Sequence, residues 1–286
     1  MPILTSNYIA SWYLVNLFGK YRLLQSWTES LQQEVSNKPM IQGDIGTHIM
    51  DIGGVWYSAT VESPVIIMGQ PNTSLYDAFD IVLEGLAVAQ NPIDTAIAES
   101  LDYVLDTSTI TINPEGVNVT ANIENAAGWV NQKQYFGDVY TDFIGRTARF
   151  YDTIFSFMGG IYLIKSAEFN IKVELDKMYF VGQSQIPTYA IKGYTVEGRA
   201  VLLTTPDSYD AQVLINLQTP GVSNPINKTI ALQIQDQYAA NGLGYRRLNL
   251  GEYMEIPTIS LNMNPGQTIE ATVNFKTYFR RSSVLA

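Results

Sequence analysis

Glu168-Phe169-Asn170-Ile171-Lys172-Val173-Glu174-Leu175-Asp176 alternates polar and apolar residues without a break. Successive side chains of a strand point to opposite faces, so the stretch predicts a half-buried β-strand with one charged face. The same alternation returns in Ile269, Ala271, Val273 and Phe275 near the end of the chain. Further strands are predicted at 190–203, 211–218, 228–235 and 253–263, so residues 161–286 read as nearly all β. Several short strands separated by turn signals point to a sandwich or barrel.

Upstream, Ile110 and Ile112 alternate with Thr109 and Thr111, and Val117, Val119, Ala121 and Ile123 alternate with Asn118, Thr120 and Asn122. Asn113-Pro114-Glu115-Gly116 between them supplies a turn, which makes the segment a hairpin. Ile49 to Met68 is also β, with Trp56 and Tyr57 amid β-branched residues and Pro64 breaking or bending the run.

Helices are predicted in three places. Over 8–35, Leu14, Leu17, Tyr21, Leu24 and Leu31 recur at helical spacing and Pro39 closes the segment. Its aromatic load of Trp12, Tyr13, Phe18, Tyr21 and Trp27 exceeds one stripe, which leaves open a helix packed on two sides or one docked on a neighbour. Ser74 and Asp77 stand at capping-box spacing before Leu75, Phe79, Val82, Leu83 and Leu86. Asn91-Pro92 then ends that helix and opens a second through Ile97, Leu101 and Val104. Residues 126–160, with Gly128, Gly145, Gly159 and Gly160, read as a mixed connector holding a helix around 139–157. The expected organisation is a first domain over 1–130, a connector over 131–160 and a second domain over 161–286.

Of the 286 residues, 46% are hydrophobic and only 15% are charged, against roughly 25% charged in an average globular protein. So little charge fits a protein that covers much of its exterior with neighbours. The net charge of −10 disfavours docking on nucleic acid through phosphate neutralisation. The absence of cysteine removes disulfides, thiolate nucleophiles and thiolate metal sites together. The apolar run Tyr8 to Phe18 has no basic residue before it and is interrupted by Ser11 and Asn16, so neither a signal peptide nor a membrane span is expected.

The two halves share an ordered self-similarity. Ile110-Thr111-Ile112-Asn113-Pro114 with Val117 to Ile123 parallels Leu261-Asn262-Met263-Asn264-Pro265 with Ile269 to Phe275. Upstream, Val65-Ile66-Ile67-Met68-Gly69 parallels Met178-Tyr179-Phe180-Val181-Gly182. A duplicated unit explains both matches, as does the likeness of any two alternating hairpins, and the unequal spacing implies insertions.

No constellation for catalysis stands out, so no enzyme, cofactor or metal is expected. No P-loop, nucleophile elbow or dinucleotide fingerprint is present. His48, the single histidine, precedes a strand and reads as structural. Glu168 and Glu174 share a strand face that reads as solvated. Arg246 with Arg247 and Arg280 with Arg281 are candidate inter-subunit salt-bridge partners, or solvated pairs.

The strand from Glu168 to Asp176, the Val181-Gly182 end, the second run Tyr194-Thr195-Val196-Glu197-Gly198-Arg199-Ala200 and the late hairpin at 258–276 resemble phage tail-tube proteins and their relatives in contractile injection systems. The resemblance covers about 40% of the chain. It implies a mainly β (α+β) fold of two tandem β-sandwich or barrel domains with flanking helices. It also implies a virion structural protein of the tail, assembled in the host cytoplasm into stacked rings that conduct DNA as passing cargo, without a membrane. Two tube-like domains per chain would give trimeric pseudo-hexameric rings, and one tube domain with an accessory would give hexameric rings. Other tail or baseplate proteins would be partners. Glu168, Glu174 and Asp176 are candidates for a lumen-facing acidic lining that repels phosphate, although the same face could point outward. The alternatives are a baseplate hub or tail-completion protein that caps the tube, and a β-sandwich module binding carbohydrate or a receptor.

Overall fold

The alternating strand predicted at 168–176 is the middle of β12 (Gly160–Met178), and the rest of the main sheet is arranged around it. The computed structural model describes residues 12–17, 19–40, 47–68, 75–90, 103–125, 129, 133–139, 145–178, 188–205, 208–217, 230–238, 243–251, 253–254, 258–262 and 268–280. The chain is mainly β.

One edge of β12 pairs antiparallel with β13 (Thr188–Thr204). The other edge is shared between two strands. Leu163 to Gly160 pair with β11 (Thr153–Phe157), whereas Ala167 to Lys172 pair with β7 (Val104–Asn113). Between these segments the β12–β13 register shifts at Ile164/Ser166, a bulge at which β12 exchanges one neighbour for the other on that edge. Beyond β11 lie β14 (Ile230–Gln235) and β15 (Tyr245–Gly251), and β15 also approaches β13 and β18.

Eight strands follow one another across the main face. β3 (Ser26–Met40) pairs β4 (Thr47–Pro64), which pairs β8 (Gly116–Asn125), which pairs β7. β7 then pairs β12, β12 pairs β13, β13 pairs β18 (Ile269–Arg280), and β18 pairs β17 (Thr258–Asn262). Each half of this run has the same order: a long hairpin, then a helix, then a short hairpin whose second strand lies against the long one. The helices are α1 (Ala78–Gln90) after β4 and α2 (Tyr209–Leu217) after β13. The insertion expected from the unequal spacing is β14, β15 and β16 (Tyr253–Met254).

The boundary expected at 131–160 is crossed by this sheet, because β7 pairs directly with β12. One continuous core, which includes Phe79, Ile110, Phe169, Leu202, Leu232 and Val273, also draws on both halves. Within 131–160, the helix expected around 139–157 is replaced by β10 (Gly145–Thr147), a single 3-10 turn at Phe150–Asp152 and β11. Phe155 and Phe157 point to one side of β11 and stack in the core, which requires strand spacing. β9 (Lys133–Val139) lies in the same stretch.

The helix expected over 8–35 is also strand where it is described: β1 (Trp12–Leu17), β2 (Lys20–Leu24) and β3. Gly19, at φ +77°, turns the chain between β1 and β2, a conformation that a helix interior does not contain. β1 pairs β9, and β2 pairs β6 (Leu75–Tyr76) in a second, smaller sheet, while β5 (Ile66–Met68) pairs β10. Pro39 lies inside β3 and does not end it, which an edge strand tolerates because that residue needs no ladder donor.

The cap of α1 stands three residues later than expected. The Asp77 carboxylate accepts from the Phe79 and Asp80 amides, and Asp80 in turn accepts from the Asp77 amide, so Asp77/Asp80 is the reciprocal box. The second helix expected after Asn91-Pro92 lies outside the described residues, apart from Tyr103 and from Val104, which begins β7. The strand expected at 211–218 is α2. Ser208 caps it by accepting from the Ala211 amide, and Ala211 and Leu214 are buried at helical spacing, so the cap prevails over the alternation of Val213, Ile215 and Leu217.

Gly198 on β13 faces the ring of Phe275, and a Cβ there would lie 2.3 Å from the nearest ring carbon. The Gly198→Ala variant should lose about 1–3 kcal/mol of stability in urea unfolding. Adding Phe275→Leu should recover part of that loss. Equal losses in the single and double variants would mean that the clash is not the cause.

Candidate functional site

The eight-strand run has one face on the core and the other open. On the core side stand Val61, Ala121, Ile110, Phe169, Val196 and Val273, and α1 packs against this side. On the open side, side chains opposite one another form rows across the sheet. One row runs Ser26, Glu62, Thr120, Thr109, Asn170, Glu197 and Lys276. A second runs Thr28, Thr60, Asn122, Thr107, Lys172, Thr195 and Tyr278.

Hydrogen bonds knit the rows. Thr60 donates to Asn122, Asn122 donates to Thr107, Thr109 donates to Asn170, and Asn170 donates to Glu168. These bonds, three across strands and one along β12, satisfy the side chains they join within the sheet.

Glu168 and Glu174 share this open face with Asn170 and Lys172, and Asp176 is exposed further along β12. The charged face predicted for β12 therefore exists; Glu174 stands opposite Gly193, and most of the other acids on and around the face stand by bases of neighbouring strands. Glu168 stands opposite Arg199, Glu197 pairs with Lys276 at 2.9 Å, Glu270 with Lys165 at 2.6 Å and Asp176 with Lys192 at 2.5 Å. A shallow trough of about 500 Å³ crosses this part of the face between Glu168, Glu197, Arg199, Asn274 and Lys276. Each surface pair contributes little to stability, yet together they offset much of the acidic charge of the face.

Among the described elements the run ends at β3, which pairs β4, and at β17, which pairs β18. On β3, Leu31 lies on the core-facing side and is 59% exposed because the sheet stops there. On β17, Thr258, Ser260 and Asn262 are exposed, and Ile259 and Leu261 pack partly against the core. These edges were not singled out in the sequence. The alternation Ser26-Trp27-Thr28-Glu29-Ser30-Leu31-Gln32 carried the signal for β3, but the recurrence of leucines upstream imitated a helix.

Arg246 is corrected from an inter-subunit candidate to an internal tie. It is 5% exposed on β15, and its guanidinium donates to Asp77 at 2.9 Å, to Asp80 at 3.2 Å and to the Ile66 carbonyl at 2.6 Å. Asp236 lies 3.7 Å away on its other side. Burial pushes the Asp80 carboxyl up to about 7, against the pull of Arg246 and with the Asp77 charge adding to it. Burial opposes the charge on Arg246, but Asp77 and Asp80 outweigh burial and raise its pKa. Arg247 points to the opposite side of β15 and is exposed. Arg280 ends β18 opposite Gly193, and Arg281 lies outside the described residues.

A second internal cluster was not anticipated. Glu84 of α1 accepts from Lys20, from fully buried Arg22 and from Tyr103. Burial alone would push Glu84 up, but Arg22, Lys20 and Tyr103 hold its carboxyl below the usual range. His48 falls in β4 opposite Pro39. Among the described residues no group of His, Asp and Glu is arranged to hold a metal ion, and no helix is long and apolar enough to cross a membrane. Compared with protein-family models and with curated proteins, the chain has no match in either.

Proposed function

We propose that this chain is a structural subunit of the tail-tube type, which joins copies of itself edge to edge into rings that stack as a conduit for DNA. The observation that carries this reading is the eight-strand run, in which one four-strand order occurs twice and which ends, among the described residues, at two unlike strands, β3 and β17. A chain whose two ends present unlike surfaces can join head to tail, and such joining closes into a ring when the rotation per copy divides a full turn. Because each chain brings the four-strand unit twice, the reading favours three copies per ring and a six-fold appearance, with the halves acting as tandem tube-like domains.

Two further features support it. The open face, on this reading, lines the bore, and its internally bonded rows, in which bases offset much of the acidic charge, give passing DNA neither a cationic patch to stick to nor a strong field. Beyond β8, β3 and β4 continue as a two-stranded arm pairing 33–40 with 47–55. At about 3.3 Å per residue its roughly eight residues extend some 25 Å, enough to reach a ring stacked above or below.

The test is electron microscopy and sedimentation of the purified chain across a concentration series. Rings or stacked tubes of three-fold symmetry with six similar lobes are the expected result. Monomers at every concentration would end this reading.

A further inference from the structure

We infer that Lys177 and Glu124 condense within the folded chain to an isopeptide bond, an amide between Lys177 Nζ and Glu124 Cδ that ties β8 to β12. The bond goes beyond the self-assembly reading and does not depend on it. β12 pairs β7 as far as Lys172 opposite Thr107 and then continues to Met178. β7 begins at Val104, opposite Glu124 of β8, so Lys177 reaches Glu124 around the end of the strand that separates them.

Amine and carboxylate are already in place. Lys177 Nζ lies 3.0 Å from Glu124 Oε1. It also lies 3.6 Å from the centre of the Trp56 ring on β4, where the indole face takes the place of water around the cation. Glu124 is 8% exposed, and its second oxygen, Oε2, is buried without a hydrogen-bond partner. Burial pushes the Glu124 carboxyl up, against the pull of Lys177 and with the Asp106 charge adding to it. Burial pushes Asp106 up as well. These surroundings favour the uncharged carboxyl, which is the form an amine attacks.

The condensation needs no co-reactant. Two protons of the Lys177 ammonium pass to Glu124 Oε1, and the third stays on the nitrogen. The freed Nζ lone pair bonds to Cδ, the bond from Cδ to Oε1 breaks as water leaves, and Oε2 remains as the amide carbonyl. Nothing is oxidised or reduced. Holding reacting groups about 3–3.5 Å apart is equivalent to an effective concentration of roughly 10⁵–10⁸ M, which makes a step that is slow between free molecules accessible in a folded one. The product also replaces two partly desolvated charges by a neutral amide. It closes a loop between residues 53 apart and fastens the first half of the chain to the second.

Intact-mass spectrometry of the full chain, purified folded and then unfolded in acid, reads the bond directly. The mass should lie one water below that of the sequence. A tryptic digest should contain one branched peptide that joins the Glu124 segment to the Lys177 segment, with no cleavage after Lys177. Lys177→Arg keeps the cation without a primary amine, and Glu124→Ala removes the carboxyl, so each should restore the full mass. The full mass in the unaltered chain after prolonged incubation in the folded state would overturn the proposal and leave an ion pair only. A water deficit that persists in Lys177→Arg would overturn it too, because the water would then come from another site.

Discussion

Arg246→Met should lower the unfolding free energy by about 3–5 kcal/mol near pH 8, the range for removing one partner from a buried ion pair. Methionine replaces the volume of the side chain but leaves Asp77, Asp80 and Asp236 without the cation they surround. The Ile66 carbonyl loses its donor as well. The loss should depend on pH with a definite sign. Asp80 sits at about 7 when folded, against an ordinary value of 3.8 for a free aspartate. A raised folded value means that the folded chain holds the proton more tightly, so the contribution of Asp80 is fullest below about pH 4 and fades as pH rises through about 7. Without Arg246 the attraction that restrains Asp80 is gone, so the deficit of the variant should widen from pH 5 to pH 8. Urea unfolding across that interval measures it. A deficit that is small, or that narrows with rising pH, would show that the tie is not what holds α1 to β15.

Phe155→Ala should cost about 3–5 kcal/mol, the range for truncating a buried aromatic. Phe155 is fully buried, with its ring centroid 5.7 Å from Phe157, 5.6 Å from Phe169 and 5.8 Å from Phe275. Those rings belong to β11, β12 and β18, so the cavity would open where these three strands meet in the core. Phe155→Leu, which keeps most of the apolar volume, should cost clearly less. Similar losses for the two variants would mean that the site collapses around the smaller side chain.

The strands whose alternation is unbroken were legible. β12, β13, β7, β8 and β18 stand where 168–176, 190–203, the 110–123 hairpin and 269–275 placed them, because each buries one face of a single sheet. The misreadings have a common cause. Leu14, Leu17, Tyr21, Leu24 and Leu31 fit helical spacing, but they belong to three separate strands joined by turns at Gly19 and Gln25. Val213, Ile215 and Leu217 fit strand spacing, yet a serine cap and burial at three-residue intervals make a helix. Arg246 beside Arg247 looked like a surface pair. Strand alternation sends the two to opposite sides, and the inward one meets carboxylates about 166 to 169 residues away in sequence. Partners that distant leave no local trace. For the same reason the places of β3 and β17 at the ends of the run became visible only once the order of the strands was known.

The meeting of β7 with β12 has a consequence for how the chain reaches its fold. The long hairpins are local and can form early, whereas the Thr109–Asn170 contact closes a loop of 61 residues and must come later. Until then the Phe169 edge of β12 lies bare, and β7 from another chain can occupy it as well as the chain's own. Refolding yield should therefore fall steeply with protein concentration, through exchanged dimers in which two chains trade halves. Slow release at high dilution would favour the self-contained molecule, and synthesis from the N-terminus does the same by presenting β7 before β12 has emerged.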